Sequence, residues 1–248
     1  MIPVIVSLGP LKLYSYGLLF AVGMVVSLSL MRRRAVKEGF PAPDDCSDMM
    51  LVLLVWGVVG ARLFYVLQNL SYYASDPLRV FAIWEGGLIF YGGAVSGLIG
   101  FIVTLRMKKI PFWRFLDFIV PYIALTQFFG RIGCFLNGCC FGKTCHLPWA
   151  VSFPHSGGPV HPAQLYEAFY TLLLFVCLRV RGRRARFEGE VGLLYFMLYA
   201  LGRYLIEFVR EPGLSWLGFT MNQWISIVMI VTAFIFFQAR KSQGSTRQ

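Results

Sequence analysis

Long apolar runs dominate this sequence. Seven of them can cross a hydrocarbon core of roughly 30 Å, at about 13–31, 48–67, 86–105, 112–130, 162–180, 190–209 and 219–239. With 57% of its 248 residues hydrophobic and 14% charged, the chain has too little polar surface to cover these runs in water. The sequence therefore predicts an all-α, polytopic membrane protein with about seven transmembrane helices. We expect a single domain over residues 1–241 and a disordered cytoplasmic tail at 242–248.

The distribution of basic residues predicts how these helices are oriented. Sixteen of the 23 lysines and arginines lie in alternate connections or in the C-terminal tail: Arg32, Arg33, Arg34, Lys37, Arg106, Lys108, Lys109, Arg114, Arg179, Arg181, Arg183, Arg184, Arg186, Arg240, Lys241 and Arg247. Such an excess marks the cytoplasmic side, so the net charge of +11 indicates orientation and contact with anionic headgroups rather than nucleic-acid binding. Seven spans with the C-terminus inside place the N-terminus outside, with outward-facing loops at 68–85, 131–161 and 210–218.

The sixth apolar run carries four polar residues at the spacing of one helix face. They are Tyr199, Arg203, Glu207 and Arg210. An arginine near the bilayer centre costs on the order of 2.5 kcal/mol or more, so this face must contact protein or water. One interpretation is an internal salt-bridge network through Glu207. The other is a bound anion such as phosphate, because two arginines and one carboxylate leave a positive charge.

A glycine-rich segment follows the fourth run, from Gly130 to Gly142, and contains Arg131 and Asn137. At a membrane surface such a segment can expose backbone N–H groups that cradle an anion. Glycines at the end of a helix also serve as simple turns, and the residues do not decide between these two interpretations.

Polar residues also open the third and fifth runs. In segment 84–93, two glycine pairs favour close helix packing, and Tyr91 can project a phenol between spans. The fifth run follows His161, and Gln164 and Glu167 share one helix face. A lone histidine at a helix start is more often a cap than a catalyst, whereas the added amide and carboxylate favour a polar pocket.

Four of the six cysteines lie close together in the sequence, at Cys134, Cys139, Cys140 and Cys145, with His146 adjacent. In an oxidising compartment a disulfide, such as one between Cys140 and Cys145, and inert thiols are both open. The spacing matches no common paired CxxC pattern, so we predict no metal site and no cofactor.

At these residues the chain resembles the prolipoprotein diacylglyceryl transferase family of bacterial inner-membrane enzymes. The resemblance covers nearly the whole length, and its long glycine-arginine signature is highly specific. The matching segments are Tyr16-Gly17, Asp117 to Pro121, Gly130-Arg131-Ile132-Gly133 to Asn137-Gly138, His161 to Glu167, Gly202-Arg203 to Glu207, Arg210-Glu211-Pro212 and Met221 to Trp224.

The resemblance implies transfer of the diacylglyceryl group of phosphatidylglycerol to the lipobox cysteine of a prolipoprotein signal peptide. A thioether forms and glycerol phosphate leaves, at the outer side of the membrane. Arg131 and Arg203 would hold the phosphate and stabilise the developing charge. The implied substrate-binding residues are Tyr16, Asn137, Gly138, Gly142, His161, Gln164, Glu167, Tyr199, Glu207 and Arg210, with Glu207 holding an arginine in place.

The chain departs from the family pattern at Tyr91, where many members carry a histidine. A phenol keeps its proton at neutral pH and is therefore a poor base, unless nearby arginines favour the phenolate. Tyr91 therefore acts as an arginine-activated base, or the base lies elsewhere, or the positive field alone favours the substrate thiolate. Cys134 and Cys139 also stand where the family more often has Asn and Glu.

A membrane carrier or channel for an anionic solute is the alternative from another functional class. It would also explain arginines inside apolar runs. A carrier needs access from both sides of the membrane, however, and the arginine-rich and glycine-rich segments all lie toward one face. The sequence therefore favours the enzyme.

Overall fold

The structure is a computed structural model that describes residues 4–8, 11–82, 86–211, 213 and 215–245, and these are mostly helical. Its helices are α1 (Ser15–Glu38), α2 (Pro43–Gln68), α3 (Leu70–Ser75), α4 (Phe90–Met107), α5 (Phe112–Asn137), α6 (Ala163–Gly182), α7 (Glu190–Ile206) and α8 (Met221–Ser245). Apart from the six-residue α3, each of these helices falls on one of the predicted apolar runs.

Five of the helices, α1, α2, α5, α6 and α8, are long and apolar enough to cross a membrane, and α4 is a shorter apolar helix. The sixth predicted run forms α7, which has 17 residues. These helices agree with the expectation of a polytopic, mostly helical membrane protein. The number of spans and the side on which each terminus lies remain predictions.

Three short antiparallel hairpins were not predicted from the sequence. They pair β1 (Val4–Leu8) with β2 (Leu11–Tyr14), β3 (Val151–Ser152) with β4 (Pro159–Val160), and β5 (Ser215–Trp216) with β6 (Phe219–Thr220). Strands of two residues are too short for an alternating apolar pattern, so the sequence carries no periodic signal for them. Leu217 and Gly218, with φ of 50° and 79°, form the two-residue turn between β5 and β6.

By its contacts the chain divides into two compact units. One contains Met1–Leu30 with Trp113–Gln248, and the other contains Met31–Phe112. In the second unit α2 packs closely on α4. A Cβ atom at Gly60 would lie 1.5 Å from the hydroxyl of Ser96, and one at Gly93 would lie 2.8 Å from the carbonyl oxygen of Gly57. Of the glycines in the predicted segment, Gly93 has the expected role in close helix packing, whereas a Cβ atom at Gly86 would meet nothing within 4 Å. Trp84 and Glu85, in the same predicted segment, lie outside the described residues.

Helix α5 of the first unit contains a carboxylate, Asp117, inside its apolar run. The oxygens of Asp117 accept hydrogen bonds from the backbone N–H groups of Gly189 and Gly192, at 2.7 and 2.8 Å. The N–H groups at the start of a helix have no partner within that helix, so Asp117 supplies one for the start of α7. This contact accounts for an acidic residue in an otherwise apolar helix.

Helix α5 also extends seven residues beyond the predicted end of the fourth run at residue 130, as far as Asn137. The prediction placed 131–161 in a loop because it took Gly130 and Gly133 as helix breakers. Both glycines are helical, and a Cβ atom at Gly133 would lie 3.0 Å from the Cα atom of Tyr16 in α1. They allow two helices to approach, and Arg131 consequently lies on a helix.

Helix α7 is shorter than predicted. It ends at Ile206 and is followed by a 3-10 turn over Glu207–Val209, after which Arg210 is extended with φ of −86° and ψ of 157°. Placing Arg210 on the same helix face as Arg203 was therefore wrong. The chain turns out of the helix before Arg210, which approaches the site from a different direction.

Candidate active site

Three arginines converge on the carboxylate of Glu167 in α6. Arg131 of α5 places Nη2 2.7 Å from Oε2, while Arg203 of α7 and the extended Arg210 place Nη1 atoms 3.3 and 3.1 Å from Oε1. Glu167 is buried, with 5% of its side chain exposed, whereas the three arginine side chains are 16% to 25% exposed. The carboxylate thus fixes three guanidinium groups that still reach the surface.

A second carboxylate, Glu207, supports the same cluster from behind. Its Oε2 lies 3.0 Å from Nη2 of Arg203, an ion-pair distance without hydrogen-bond alignment. Its Oε1 accepts hydrogen bonds from the Thr220 hydroxyl at 3.0 Å and from the Asn222 amide at 2.9 Å. The predicted role of Glu207 in holding an arginine agrees with this geometry.

The charges of this cluster do not cancel. Three arginines and two glutamates leave one positive charge in a site where the carboxylates are buried and the arginines are partly exposed. A guanidinium has five N–H donors, so an arginine bound to one carboxylate oxygen keeps donors for another anion. The arrangement suits a phosphate group better than a neutral ligand.

The glycine-rich segment after α5 contacts the cluster through its backbone. Gly142 pairs with Arg210 in an isolated bridge, and its N–H donates to the carbonyl of His161 at 2.9 Å. A Cβ atom at Gly142 would lie 2.3 Å from the carbonyl oxygen of Val209, so only glycine fits there. The segment therefore fixes the position of Arg210.

The backbone N–H groups of this segment form internal hydrogen bonds. Those of Gly138 and Cys139 donate to Phe135 and Cys134, and those of Gly142 and Lys143 donate to His161 and Val209. Two of these bonds close the end of α5, and the other two join the chain to the residues before α6 and after α7. These four N–H groups are therefore not available to cradle an anion, which was one of the two interpretations that the sequence left open.

Gln164 and His161 bind the same segment near the start of α6. The Gln164 amide donates to the carbonyl of Cys139 at 2.6 Å, and its side chain is completely buried one turn before Glu167. His161 exchanges backbone hydrogen bonds with Gly142 and Lys143, and its Nδ1 lies 3.3 Å from the Tyr166 hydroxyl. Both residues position the loop around the cluster.

Two predicted tyrosines of the first unit border this region. Tyr199 lines a crevice with Glu167 and Arg203, and its ring stacks on Tyr195 with centroids 5.7 Å apart. Tyr16 is 44% exposed at the start of α1, where α1 meets α5.

Asn137 and Tyr91 are the remaining predicted site residues. Asn137 is the last residue of α5 and is half-buried. Tyr91 is 54% exposed in the first turn of α4 and belongs to the second unit, so the structure does not test its role.

Of the two states left open for the cysteines, the structure has free thiols rather than the Cys140–Cys145 disulfide. Cys140 and Cys145 are free thiols, and Sγ of Cys140 lies 3.7 Å from that of Cys139. The chain turns back at the end of α5, which directs Cys140 toward its neighbours in the sequence. Hydrogen bonds from the Cys134 and Cys139 thiols lower the pKa of the Cys140 thiol, and the charges of Arg210 and Arg131 lower it further.

Sequence reasoning missed Thr220 and Asn222 as partners of Glu207. Thr220 ends β6 and Asn222 lies in the first turn of α8, so no helical periodicity connects them with a carboxylate more than ten residues earlier. The position of Glu207 did indicate that it has further partners. A carboxylate at the end of an apolar run needs hydrogen-bond donors, and one arginine does not satisfy both of its oxygens.

Comparison with known proteins identifies the family. Residues 3–239 match the family model described as prolipoprotein diacylglyceryl transferase. A phosphatidylglycerol–prolipoprotein diacylglyceryl transferase of Methylococcus capsulatus is 39% identical over 253 residues, covering 98% of this chain and 97% of the relative. Proteins of the same name from Geobacter sulfurreducens and Bordetella parapertussis are 39% and 36% identical, each covering 92% of this chain and 91% of the relative. This chain therefore belongs to the prolipoprotein diacylglyceryl transferase family.

Proposed function

We propose that Arg131, Arg203 and Arg210 form the site that holds the phosphate of phosphatidylglycerol during transfer. As a member of its family the chain is a transferase that moves a diacylglyceryl group to the lipobox cysteine of a prolipoprotein. The observation that carries the proposal is the convergence of three partly exposed arginines on the buried Glu167, with one positive charge in excess.

The charge change of the reaction matches this arrangement. The substrate thiolate forms a bond to the glyceryl carbon, and the bond from that carbon to the phosphate oxygen breaks. The phosphate then carries two negative charges instead of one as glycerol phosphate leaves. Arginines in a partly desolvated site stabilise the second charge more than the first, so they lower the barrier as well as bind the lipid.

The remaining predicted residues surround this phosphate site. Tyr199 lies beside Arg203 and can donate to a glycerol hydroxyl or a phosphate oxygen. We assign headgroup orientation to Tyr16, Tyr199 and Asn137. Positioning of the loop falls to Gly138, Gly142, His161 and Gln164, which contact the backbone around Arg210 and the end of α5.

Removal of the substrate thiol proton is assigned to Tyr91. It is exposed at the start of α4, as a residue that meets an incoming peptide must be. A phenolate formed there would take the proton and leave a thiolate for attack.

We also propose that the chain crosses the bacterial inner membrane seven times. Its N-terminus would then lie outside and its C-terminus in the cytoplasm. In this proposal residues 1–241 form one catalytic domain with outward-facing loops at 68–85, 131–161 and 210–218. Three basic clusters in alternate connections and a fourth in the C-terminal tail support this orientation. This orientation is tested by placing single cysteines in a basic connection and in an outward connection. Intact cells are then labelled with a membrane-impermeant thiol reagent. Labelling of the basic connection would contradict the proposed orientation.

The proposed function is tested with purified protein and phosphatidylglycerol labelled in its diacylglyceryl group. The acceptors are a lipobox peptide and a matched peptide with serine in place of cysteine. We expect a labelled thioether with the cysteine peptide alone. The Arg203→Ala variant should form no product while remaining folded in the membrane. Normal turnover in that variant would contradict the phosphate site without affecting the family assignment.

A further inference from the structure

The end of α5 brings three thiols together by its backbone geometry. Gly138, with φ of 72°, follows the last helical residue, and its N–H donates to the carbonyl of Phe135. The N–H of Cys139 donates to the carbonyl of Cys134 at 3.2 Å. This pair of hydrogen bonds is a Schellman motif, which sets the second residue past the helix against the last turn. The motif therefore brings Cys139 back to Cys134, five residues earlier.

Cys140 completes the cluster. Its φ of 65° is in the left-handed region, which turns its side chain back toward the helix end. The Sγ atoms of Cys134, Cys139 and Cys140 all lie within 4.8 Å of one another, and those of Cys139 and Cys140 are 3.7 Å apart. A metal bound tetrahedrally by thiolates at about 2.3 Å sets their sulfurs roughly 3.8 Å apart. One pair of sulfurs already has this separation, and side-chain rotation can close the others.

The surroundings of the cluster suit a bound cation. Cys134 is buried, Cys139 is half-buried and Cys140 is exposed, so an ion can enter from the Cys140 side. The Gln164 amide that donates to Cys139 is completely buried, and its oxygen has no hydrogen-bond partner among the described residues. A water on the fourth coordination position of a metal would be a donor for such an oxygen.

We propose that Cys134, Cys139 and Cys140 form a site for one thiophilic metal ion of the Zn²⁺ class, with an open fourth position. Binding forms three metal–sulfur bonds, and the thiol protons go to solvent, so the step needs no oxidant. The pattern C-x4-C-C is not a paired CxxC motif, and only the reversal at Gly138 makes a site of it. The test of this site measures metal binding and does not depend on the proposed roles of the arginines.

Binding is measured with Cd²⁺ and Zn²⁺ as probes on the full-length protein in detergent, kept reduced and freed of metal by a chelator. We expect one Cd²⁺ per chain, with an ultraviolet thiolate-to-metal charge-transfer band that Zn²⁺ abolishes by competition. Cys140→Ser should weaken binding at least about tenfold, because it removes one of three ligands. Cys140 is exposed, so this variant leaves the packed interior unchanged.

The matched control is Cys145→Ser. Cys145 lies in the same loop but is not one of the three clustered cysteines. It should bind Cd²⁺ as the unmodified protein does. Cys139→Ser provides a second variant of the cluster and should also weaken binding at least about tenfold. Absence of a charge-transfer band in the unmodified protein, or equal affinity in the Cys140 and Cys145 variants, would overturn the proposal.

Discussion

Arg62 and Arg203 both lie inside apolar helices, yet their guanidinium groups are satisfied in different ways. Arg62 in α2 donates to four backbone carbonyls, of Arg79, Val80, Gly86 and Gly87, at 2.6 to 3.3 Å. Arg203 instead faces two carboxylates, those of Glu167 and Glu207. The carbonyls around Arg62 are neutral and belong to the backbone. The carboxylates of Glu167 and Glu207 balance only two of the three arginine charges, so one positive charge is available for a ligand.

This difference separates Arg62, which supports the fold, from Arg203, for which we propose a role in substrate binding. Arg62 is 5% exposed, and its guanidinium lies 5.4 Å from the ring centre of Tyr73. Its donors hold the segment between α3 and α4 against α2, and an anionic ligand would have to compete with the fold itself. The arginines on Glu167 carry the positive excess and are partly exposed, so in our proposal they can accept an anion while keeping their contacts with Glu167.

The largest expected effect comes from Arg131→Ala. Removing one cationic donor from a site of developing charge typically costs 10² to 10³ in rate, about 2.7–4 kcal/mol, and we expect kcat/KM for transfer to fall by roughly this factor. Arg131→Lys is the matched control and should keep part of the activity, because a point charge still attracts phosphate. Equal activity of the alanine variant and the unmodified protein would remove Arg131 from the site.

Arg62→Ala should act on stability instead. Each buried carbonyl that loses its donor lowers the free energy of unfolding by about 1–3 kcal/mol, and we expect a total loss of about 3 kcal/mol after partial rearrangement. The measurement is thermal unfolding in detergent, with transfer activity expressed per folded molecule. A variant with unchanged unfolding temperature and lost activity would reverse the comparison between Arg62 and the cluster.

Tyr91→Phe tests the proton acceptor in the second unit. If the phenol takes the thiol proton, its loss should slow transfer roughly 100-fold, the lower end of the usual range for a general base. The lipid affinity should stay unchanged, because the phosphate contacts are made by the arginines. Activity within a factor of about two of the unmodified protein would retire the role, since no base contributes so little.

The smallest effect is expected for Thr220→Val, which keeps the side-chain shape but removes the hydrogen bond to Glu207 and a longer one, at 3.3 Å, accepted from the Gln223 N–H. A hydrogen bond to a charged group contributes about 1.5 kcal/mol to the free energy of unfolding. Thr171→Val is the control, because the Thr171 hydroxyl donates only to carbonyls of its own helix, and its loss should cost less. Equal losses in the two variants would mean that Glu207 does not depend on Thr220.

The sequence predicted the long helices because membrane helices are continuous apolar runs, and α2 and α6 begin and end within a few residues of the predicted runs. The ends of α5 and α7 were wrong for a physical reason. Glycine allows both a turn and close helix packing, and only the contact of Gly133 with Tyr16 shows which applies. The convergence of Arg131 and Arg210 on Glu167 depends on tertiary packing, which no periodicity within one helix can reveal.

The most direct test of the phosphate site is equilibrium binding of phosphatidylglycerol, measured against a zwitterionic phospholipid in mixed micelles. The unmodified protein and Arg62→Ala, counted per folded molecule, should both prefer phosphatidylglycerol. Arg203→Ala should lose at least about tenfold of that preference, or about 1.4 kcal/mol. An undiminished preference in Arg203→Ala would contradict the account, because the lipid phosphate would then be held by other residues.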